Sequence, residues 1–257
     1  MAKFIFCTFY FWSNLVFSNV LSIQLPGELI KDDKPIPPKC FYNLIVNDTK
    51  NMVIDLTSSP CMHYSDKLDQ HMLKKNWLGY ELDDEQPVMR MPYIYYKFIA
   101  QQPDSKYIIL LNWGGGGTGS FTNLITVQLK QDKLSITKYI AGGDRCFGGI
   151  ENVSYNNQLS YQVQTTPEML VDPFNKLSLK QKSIEYCAVC CVGKMNIVNG
   201  KDKSFQFNGY IPSVSQGNYQ QQCFNNLISS FGAKHKSNIS SSQVNQLRSE
   251  FNRICVS

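Results

Sequence analysis

The sequence contains few charged residues and no complete catalytic motif. Only 18% of the 257 residues are charged, the net charge is +5, and no run of like charge occurs. Duplex nucleic acids are bound by clustered Lys and Arg side chains, so this pattern disfavours a nucleic-acid partner. The chain has no GxSxG elbow and no second CxxC motif that would complete a zinc site. We therefore predict no catalytic residue, no metal ligand and no cofactor.

The N-terminus has the pattern of a secretory signal peptide, which we assign to residues 1–22. This segment combines one cation, Lys3, with an apolar stretch over residues 4–12 and small residues at Ser18 and Ser22 that suit cleavage. Polar residues interrupt its second half, which makes it a poorer membrane span than a signal. An uncleaved N-terminal anchor is the alternative. We expect a periplasmic or secreted protein without stable membrane insertion after cleavage.

Cysteine is frequent, and eight cysteines remain once Cys7 leaves with the signal. An even number in an exported chain predicts disulfides, although many pairings are possible. Two pairs are favoured by position, namely Cys40 with Cys61 and Cys223 with Cys255. Closing a ring of about 20 to 30 residues stabilises a fold by about 3 to 4 kcal/mol. The predicted disulfide cysteines are Cys40, Cys61, Cys146, Cys187, Cys190, Cys191, Cys223 and Cys255.

The rest of the chain is of a size for one domain. Residues 23–39 contain four prolines and read as an extended lead-in, because proline fits neither a central strand nor a helix interior. We assign residues 40–257 to a single β-rich domain that ends in two helices at about 218–255.

Apolar runs and alternating patterns predict an antiparallel meander. The run at 106–113 is continuous and suits a strand covered on both faces. Asn199 and Gly200 are typical of a tight turn, within a connection that we predict to be longer than two residues. A first hairpin is predicted from strands at 41–46 and 52–56. Further strands are predicted at 123–129, 134–140, 159–163, 195–198 and 205–207.

Helical spacing predicts three helices. The first covers residues 65–78, and the second runs from about Asn218 to Gly232, where glycine suits the left-handed terminator of a helix. The third has Ser240, Ser241 or Ser242 as its cap, with Gln243 as capping-box partner of Ser240. The sequence thus predicts an α+β fold, a disulfide-stabilised antiparallel meander with C-terminal helices. An all-β sandwich or barrel with helical decoration is the alternative.

A glycine run between two predicted strands, residues 113–121, is the most unusual local stretch. Its candidate ligand-contact residues are Trp113, Gly115, Gly116, Thr118 and Phe121. Glycine permits close approach of a ligand to the backbone, and loops frequently carry binding sites. A strand follows the run and it contains no Lys, so a phosphate-binding loop is disfavoured. A tight structural crossing between two strands is the other interpretation.

A second glycine-rich segment, residues 141–150, follows a neighbouring predicted strand. We expect the two loops to converge on one sheet edge and to contact a glycan, peptide or protein ligand. Asp144 and Arg145 are further candidate contacts there. Adjacent opposite charges in a loop also form turn devices or salt bridges that stabilise the fold, and this alternative stays open.

The paired motifs WGGGGTGSF at 113–121 and GGDRCFGGI at 142–150, behind a signal peptide, resemble a group of uncharacterised exported proteins of Gram-negative bacteria. The likeness covers residues 107–170 approximately. It implies a periplasmic location. Because that group has no activity that we can name, the resemblance transfers no catalytic residue.

Two other clusters suggest rival functions. The CxxC at Cys187 to Cys190 fits a thiol-disulfide protein, although residues 184–192 read as a strand rather than the helix start that activates such a thiol. Asp144 or Arg145 with a distant histidine would give an exported hydrolase. His63, Asp66, Asp69 and His71 are interpreted as a solvated helix face. We predict a binding or interaction protein as the leading function.

Overall fold

The computed structural model describes residues 25–46, 52–62, 68–82, 91–173, 184–211, 213, 218–235 and 238–256, with the backbone alone at 233–235. The predicted signal peptide, the histidine at 63 and the aspartate at 66 lie outside the described residues. Two antiparallel sheets dominate the described part, and two long helices follow them, which confirms the predicted fold class.

The N-terminal part contains little regular secondary structure before its first helix. A single 3-10 turn at Gly27–Leu29 leads into a two-stranded ladder of β1 (Ile30–Lys31) and β2 (Lys34–Pro35). Helix α1 (Pro38–Val46) follows. Leu29 and Ile36 are fully buried, so the segment interpreted as a lead-in contributes to a hydrophobic core.

A six-stranded sheet forms the centre of the fold. Its strands are β3 (Val53–Asp55), β4 (Leu78–Glu81), β5 (Tyr93–Gln102), β6 (Lys106–Gly114), β7 (Phe121–Lys130) and β8 (Lys133–Asp144). Their order in the sheet is β3-β8-β7-β6-β5-β4, and every pair is antiparallel. A 3-10 turn at Pro60–Met62 and helix α2 (Gln70–Leu73) lie between β3 and β4.

A five-stranded sheet and three helices make up the second half. The strands are β9 (Ile150–Tyr155), β10 (Leu159–Thr165), β11 (Gly193–Val198), β12 (Lys201–Phe207) and β13 (Asn238–Ser240), in the order β13-β12-β11-β10-β9. Helix α3 (Pro167–Val171) follows β10, α4 (Tyr219–His235) follows β12, and α5 (Ser241–Cys255) follows β13. None of the described helices is both long and apolar enough to cross a membrane.

Strand β6 serves two hydrophobic cores at once. Tyr107, Ile109 and Leu111 face the core that contains α1 and the N-terminal segment. Ile108 and Leu110 face the core that contains the five-stranded sheet and the C-terminal helices. Because consecutive side chains of a strand point to opposite faces, a continuous apolar run is what a doubly covered strand requires. The sequence prediction for this strand is confirmed.

The predicted first hairpin is wrong, since its first half is helix α1. Phe41 and Leu44 are three residues apart and both buried, which is the spacing of one helix face. Pro38 occupies the first helical position, where its missing N–H costs nothing. A short apolar run does not distinguish a strand from a helix by its pattern. The disulfide between Cys40 and Cys61 that this segment suggested is nevertheless present.

The predicted helix at 65–78 is confirmed only for one turn, α2. Asp69 caps it, accepting hydrogen bonds from the backbone N–H groups of His71 and Met72, and Leu78 already belongs to β4. Asn76 has a positive φ of 60°, which is incompatible with a continuing helix. The turn at Asn199 and Gly200 has two residues between the paired strands, so the prediction of a longer connection is also wrong.

The two C-terminal helices lie close to the positions predicted from the sequence. Ser240 caps α5 in a capping box, where the backbone N–H of Gln243 donates to Ser240 Oγ over 3.4 Å. The backbone N–H of Ser240 donates in return to Gln243 Oε1 over 2.8 Å. Helix α4 continues past Gly232 to His235, so the predicted terminator is wrong.

Four disulfides join the eight cysteines, and both favoured pairs are among them. The pairs are Cys40–Cys61, Cys146–Cys191, Cys187–Cys190 and Cys223–Cys255. The last connects α4 to α5, two helices whose apolar faces share one core.

Removing the Cys223–Cys255 bond tests its contribution to this packing. The double substitution Cys223→Ala and Cys255→Ala opens a ring with a sequence separation of 32. We expect the free energy of unfolding in urea to fall by about 3 to 4 kcal/mol, because the unfolded chain regains the freedom that the ring removes. A loss below about 1 kcal/mol would show that the helices pack without help from the bond.

Candidate functional site

The two glycine-rich segments lie side by side at one end of the six-stranded sheet. Residues 115–120 connect β6 to β7, and the second segment begins at the end of β8, the other neighbour of β7. Phe121 is paired with Trp113 on one side and with Asp144 on the other. The predicted convergence of the two loops on one sheet edge is therefore present.

The Asp144 carboxylate connects the two loops. Its Oδ1 accepts hydrogen bonds from the backbone N–H of Ser120 and from Arg145 Nε, both over 2.9 Å. Arg145 Nη2 donates to the other oxygen over 3.1 Å, and the Arg145 backbone N–H donates to the Ser120 carbonyl over 3.2 Å. Burial alone would raise the pKa of Asp144, but the bonds from Arg145 and Ser120 outweigh it and hold that pKa below its ordinary value.

The second loop is a tight turn that leaves no room for a side chain at Gly143. Asp144 and Phe147 exchange backbone hydrogen bonds of 3.0 and 2.8 Å, with Arg145 at a positive φ of 45° between them. A Cβ atom at Gly143 would collide with the Phe147 carbonyl oxygen. Glycine at this position is therefore explained by the fold itself.

The same turn is fastened to the segment that leads into β11. Cys146 forms a disulfide with Cys191, and its backbone N–H donates to the Ala188 carbonyl over 3.2 Å. The ring of Phe147 meets that of Tyr186 edge to face, with centroids 4.1 Å apart. The site edge thus joins the two sheets of the protein.

Aromatic side chains form a partly exposed platform beside the glycine run. The rings of Trp113 and Phe121 stack with centroids 4.3 Å apart and planes 15° apart. Trp113 Nε1 donates to Asn123 Oδ1 over 2.8 Å, and Asn123 Nδ2 donates to the hydroxyl oxygen of Tyr139 over 2.7 Å. Tyr42 from α1 packs on Trp113 from the core side, with ring centroids 5.2 Å apart. These contacts fix the orientation of the platform.

Tyr139 is a site residue that the sequence pattern does not reveal. Its side chain is 51% exposed, whereas Asn123 beneath it is buried. A bulge in β8 shifts the register between Leu124 and Ile125, and this shift brings Tyr139 opposite Ile125. A Cβ atom at Gly142 would collide with the Tyr139 hydroxyl oxygen, so this side chain lies across the Gly142 backbone, and burial raises the pKa of the hydroxyl.

The tip of the glycine run differs from its base. Gly115, Gly117 and Thr118 are exposed, while Gly116 is buried and has a positive φ of 83° that favours glycine. A Cβ atom at Gly115 or Gly117 would have no neighbour within 4 Å. Packing therefore does not explain why these two positions lack a side chain.

A separate polar cluster stands at the same edge on strand β5. The Tyr93 hydroxyl hydrogen-bonds Ser120 Oγ over 2.8 Å, and the Tyr95 hydroxyl donates to Asp69 Oδ2 over 3.0 Å. Burial would raise the pKa of Asp69, but the hydrogen bonds from Met72, Tyr95 and His71 lower it overall. Asp69 therefore acts as a helix cap, while the side chain of His71 is exposed.

The two rival functions depend on Asp144 with Arg145 and on the Cys187–Cys190 pair, all of which the structure describes. The part of the chain that the structure describes brings no three His, Cys, Asp or Glu side chains together as metal ligands. Both oxygens of Asp144 are engaged by Arg145. Residues 187–190 form a turn closed by the Cys187–Cys190 disulfide, so the predicted strand at 184–192 is wrong.

Two apolar grooves lie away from this edge, on the C-terminal helices. One, of about 500 Å³, opens beside the Cys223–Cys255 bond between Leu227 and Ile254. The other, of about 330 Å³, is lined by Phe207, Tyr210, Ile211 and Ile228 among others. Neither includes a residue of the glycine loops.

Comparisons with protein-family models, curated proteins and solved structures give no match for this chain.

Two glycine substitutions test whether the base and the tip of the site differ in their effect on stability. Gly143→Ala forces a Cβ atom against the Phe147 carbonyl, and we expect it to lower the free energy of unfolding by about 3 kcal/mol. Gly117→Ala is the matched control, with open space and no positive φ, and its effect should stay within about 0.5 kcal/mol. Equal losses in urea titrations of the two variants would contradict this division.

The Asp144 network predicts a defined pH dependence. Asp144→Asn removes the ion pair and should cost about 1 to 2 kcal/mol of unfolding free energy at neutral pH. Because folding lowers the pKa of Asp144, its contribution is present above the unfolded pKa of about 3.9 and is lost progressively as the pH falls from there through the lower folded-state pKa. The difference between wild type and variant should therefore shrink on acidification. A difference that stays constant down to pH 3 would refute the assigned role of the carboxylate.

Proposed function

We propose that this chain is an exported binding protein whose ligand contacts the surface formed by Trp113, residues 115–118, Phe121 and Tyr139. This set is called the glycine-loop surface below. Four disulfides and a β-rich fold fit an exported protein. A periplasmic or secreted location, which the N-terminal pattern and the resemblance to exported bacterial proteins favour, is part of the same proposal.

The observation that carries the proposal is a rigid aromatic pair beside an exposed backbone. Trp113 and Phe121 are partly exposed and stacked, yet Asn123 and Tyr42 hold them in place. Aromatic rings give large contact area at low entropic cost, and a fixed orientation reduces the cost of binding further. Such a platform suits the apolar face of a sugar ring or a peptide side chain.

Polar groups at the rim provide the directional contacts. The Tyr139 hydroxyl is connected to Trp113 through hydrogen bonds of Asn123, and the exposed residues Gly115 and Gly117 follow Trp113 in the chain. A few placed polar groups around an apolar surface are what fixes the orientation of a bound ligand. We therefore propose a glycan or a peptide, rather than a purely apolar molecule, as the ligand.

Asp144 and Arg145 take a supporting role in this proposal. The Asp144 carboxylate accepts from the backbone of Ser120 and from Arg145, which uses two of its five side-chain N–H donors in this way. The pair positions the glycine run, and the ligand contacts come from that run and its aromatic neighbours. The same engagement of Asp144 gives no support to the hydrolase alternative.

A photo-crosslinking experiment in exporting cells tests the proposal. A photoreactive phenylalanine analogue replaces Thr118 at the loop tip or, as a matched control, Lys130 at the opposite end of β7, since both are exposed. We expect a covalent adduct of defined mass at position 118 and none at position 130. Tyr139→Phe should reduce the adduct severalfold because it keeps the ring but removes the hydroxyl oxygen that accepts from Asn123, the residue that orients Trp113.

The result that would overturn the proposal is equally specific. If position 118 gives no adduct, or gives the same adducts as position 130, the glycine-loop surface does not bind a ligand. Circular dichroism of each variant confirms that the comparison concerns folded protein.

A further inference from the structure

A second chemical site lies against the turn from Asp144 to Phe147, in the turn that carries Cys187 and Cys190. We propose that their disulfide exchanges with dithiols while the protein stays folded, and that opening it loosens the turn from Asp144 to Phe147. The exchange itself is independent of the proposed binding function. Only its consequence for a ligand rests on that function.

Accessibility distinguishes this disulfide from the buried pair at the N-terminus. Cys187 is partly exposed and Val189 in the same turn is 70% exposed, whereas Cys40 and Cys61 are exposed by no more than 1%. Thiol-disulfide exchange requires a thiolate to reach one of the bonded sulfurs. Cys190 is only 6% exposed, so the sulfur of Cys187 is the point of attack.

Ring size explains why this bond opens without unfolding the chain. Its cysteines are separated by 3 positions, whereas the other pairs are separated by 21, 32 and 45. A short ring restrains the unfolded chain least, so its loss destabilises the fold least. The two remaining pairs, although each has a partly exposed cysteine, close long rings between different elements.

The turn also favours closing the bond again. The backbone N–H of Cys190 donates to the Cys187 carbonyl over 3.1 Å, which keeps the two cysteines adjacent when they are reduced. Residues 187–190 do not lie at the start of a helix, which is the position that lowers the pKa of a thiol. The rate of exchange therefore depends on the thiolate of the attacking dithiol.

The reaction balances with a dithiol as the second substrate. One thiolate of the dithiol attacks the sulfur of Cys187, the bond to Cys190 breaks, and Cys190 leaves as a thiolate that takes up a proton. The second thiol of the reagent attacks the mixed disulfide and releases Cys187. Two electrons pass to the protein, and the reagent becomes a disulfide.

Three contacts join this turn and its flanking residues to the turn from Asp144 to Phe147. The Ala188 carbonyl, between the two cysteines, accepts from the backbone N–H of Cys146. Cys191 follows Cys190 directly and holds Cys146 through a disulfide, and Tyr186 packs on Phe147. Opening the Cys187–Cys190 bond frees Ala188 to move, and the Cys146 hydrogen bond weakens with it.

Limited reduction of the wild-type protein tests both steps. The mature chain with formed disulfides is treated with increasing dithiothreitol, alkylated and mapped by peptide mass spectrometry. We expect Cys187 and Cys190 to be alkylated before the other six cysteines while thermal unfolding stays cooperative. Hydrogen exchange of the Cys146 amide should become about fivefold faster, the factor expected for loss of one hydrogen bond, and should recover on reoxidation.

A variant that lacks the Cys187–Cys190 disulfide provides an independent test. Cys187→Ser combined with Cys190→Ser should fold and show the faster Cys146 exchange with no reductant added. The inference is overturned if another pair is reduced first, if the double variant does not fold, or if Cys146 exchange is the same in oxidised and reduced protein. No ligand enters these readouts, so their failure is distinct from failure of the proposed binding function.

Discussion

The Asp144 carboxylate is the constraint on which the arrangement of the site depends. It binds the backbone of Ser120 across two strand ends and is itself held by Arg145. A glycine run has more backbone freedom than any other sequence, and an anchored base is needed for it to present one surface. The anchor lies at the root of the loop, so the exposed tip remains available for contacts.

The disulfide between Cys146 and Cys191 extends that constraint to the whole molecule. The six-stranded sheet carries the glycine run, whereas Cys191 leads into β11 of the five-stranded sheet. Strand β6 connects the same two halves through the cores on its opposite faces. The site edge is therefore rigid for two reasons, a shared core below it and a covalent bond beside it. Rigidity of this kind lowers the entropic cost of recognition.

Local rules predicted much of the fold from the sequence. The apolar run in β6, the capping box at Ser240 and the disulfide partners Cys40 and Cys223 were all readable, because each depends on neighbouring residues or on simple spacing. Helix α1 was not, since its apolar residues fit two periodicities equally well. The prediction that α4 ends at Gly232 failed because this glycine does not adopt the positive φ of a left-handed terminator, and the helix continues to His235.

The sequence predicted where the candidate site lies, but not the roles of its individual residues. Glycine-rich loops after adjacent strands identified the edge, yet the roles of Gly143 and Gly117 differ only through what a Cβ atom would meet. Tyr139 depends on a bulge, and the pairing of Cys146 with Cys191 depends on the contact between two sheets. Neither leaves a signal in local spacing.

The most direct measurement for this account is the disulfide map of the native protein, obtained by partial reduction, stepwise alkylation and tandem mass spectrometry. We expect Cys146 to be bonded to Cys191 and Cys187 to Cys190, the pairing in which Cys191, two residues before β11, holds the Asp144 turn against the second sheet. Recovery of Cys146 bonded to Cys187 or Cys190 would contradict the geometry from which the binding surface and the exchangeable bond are both argued.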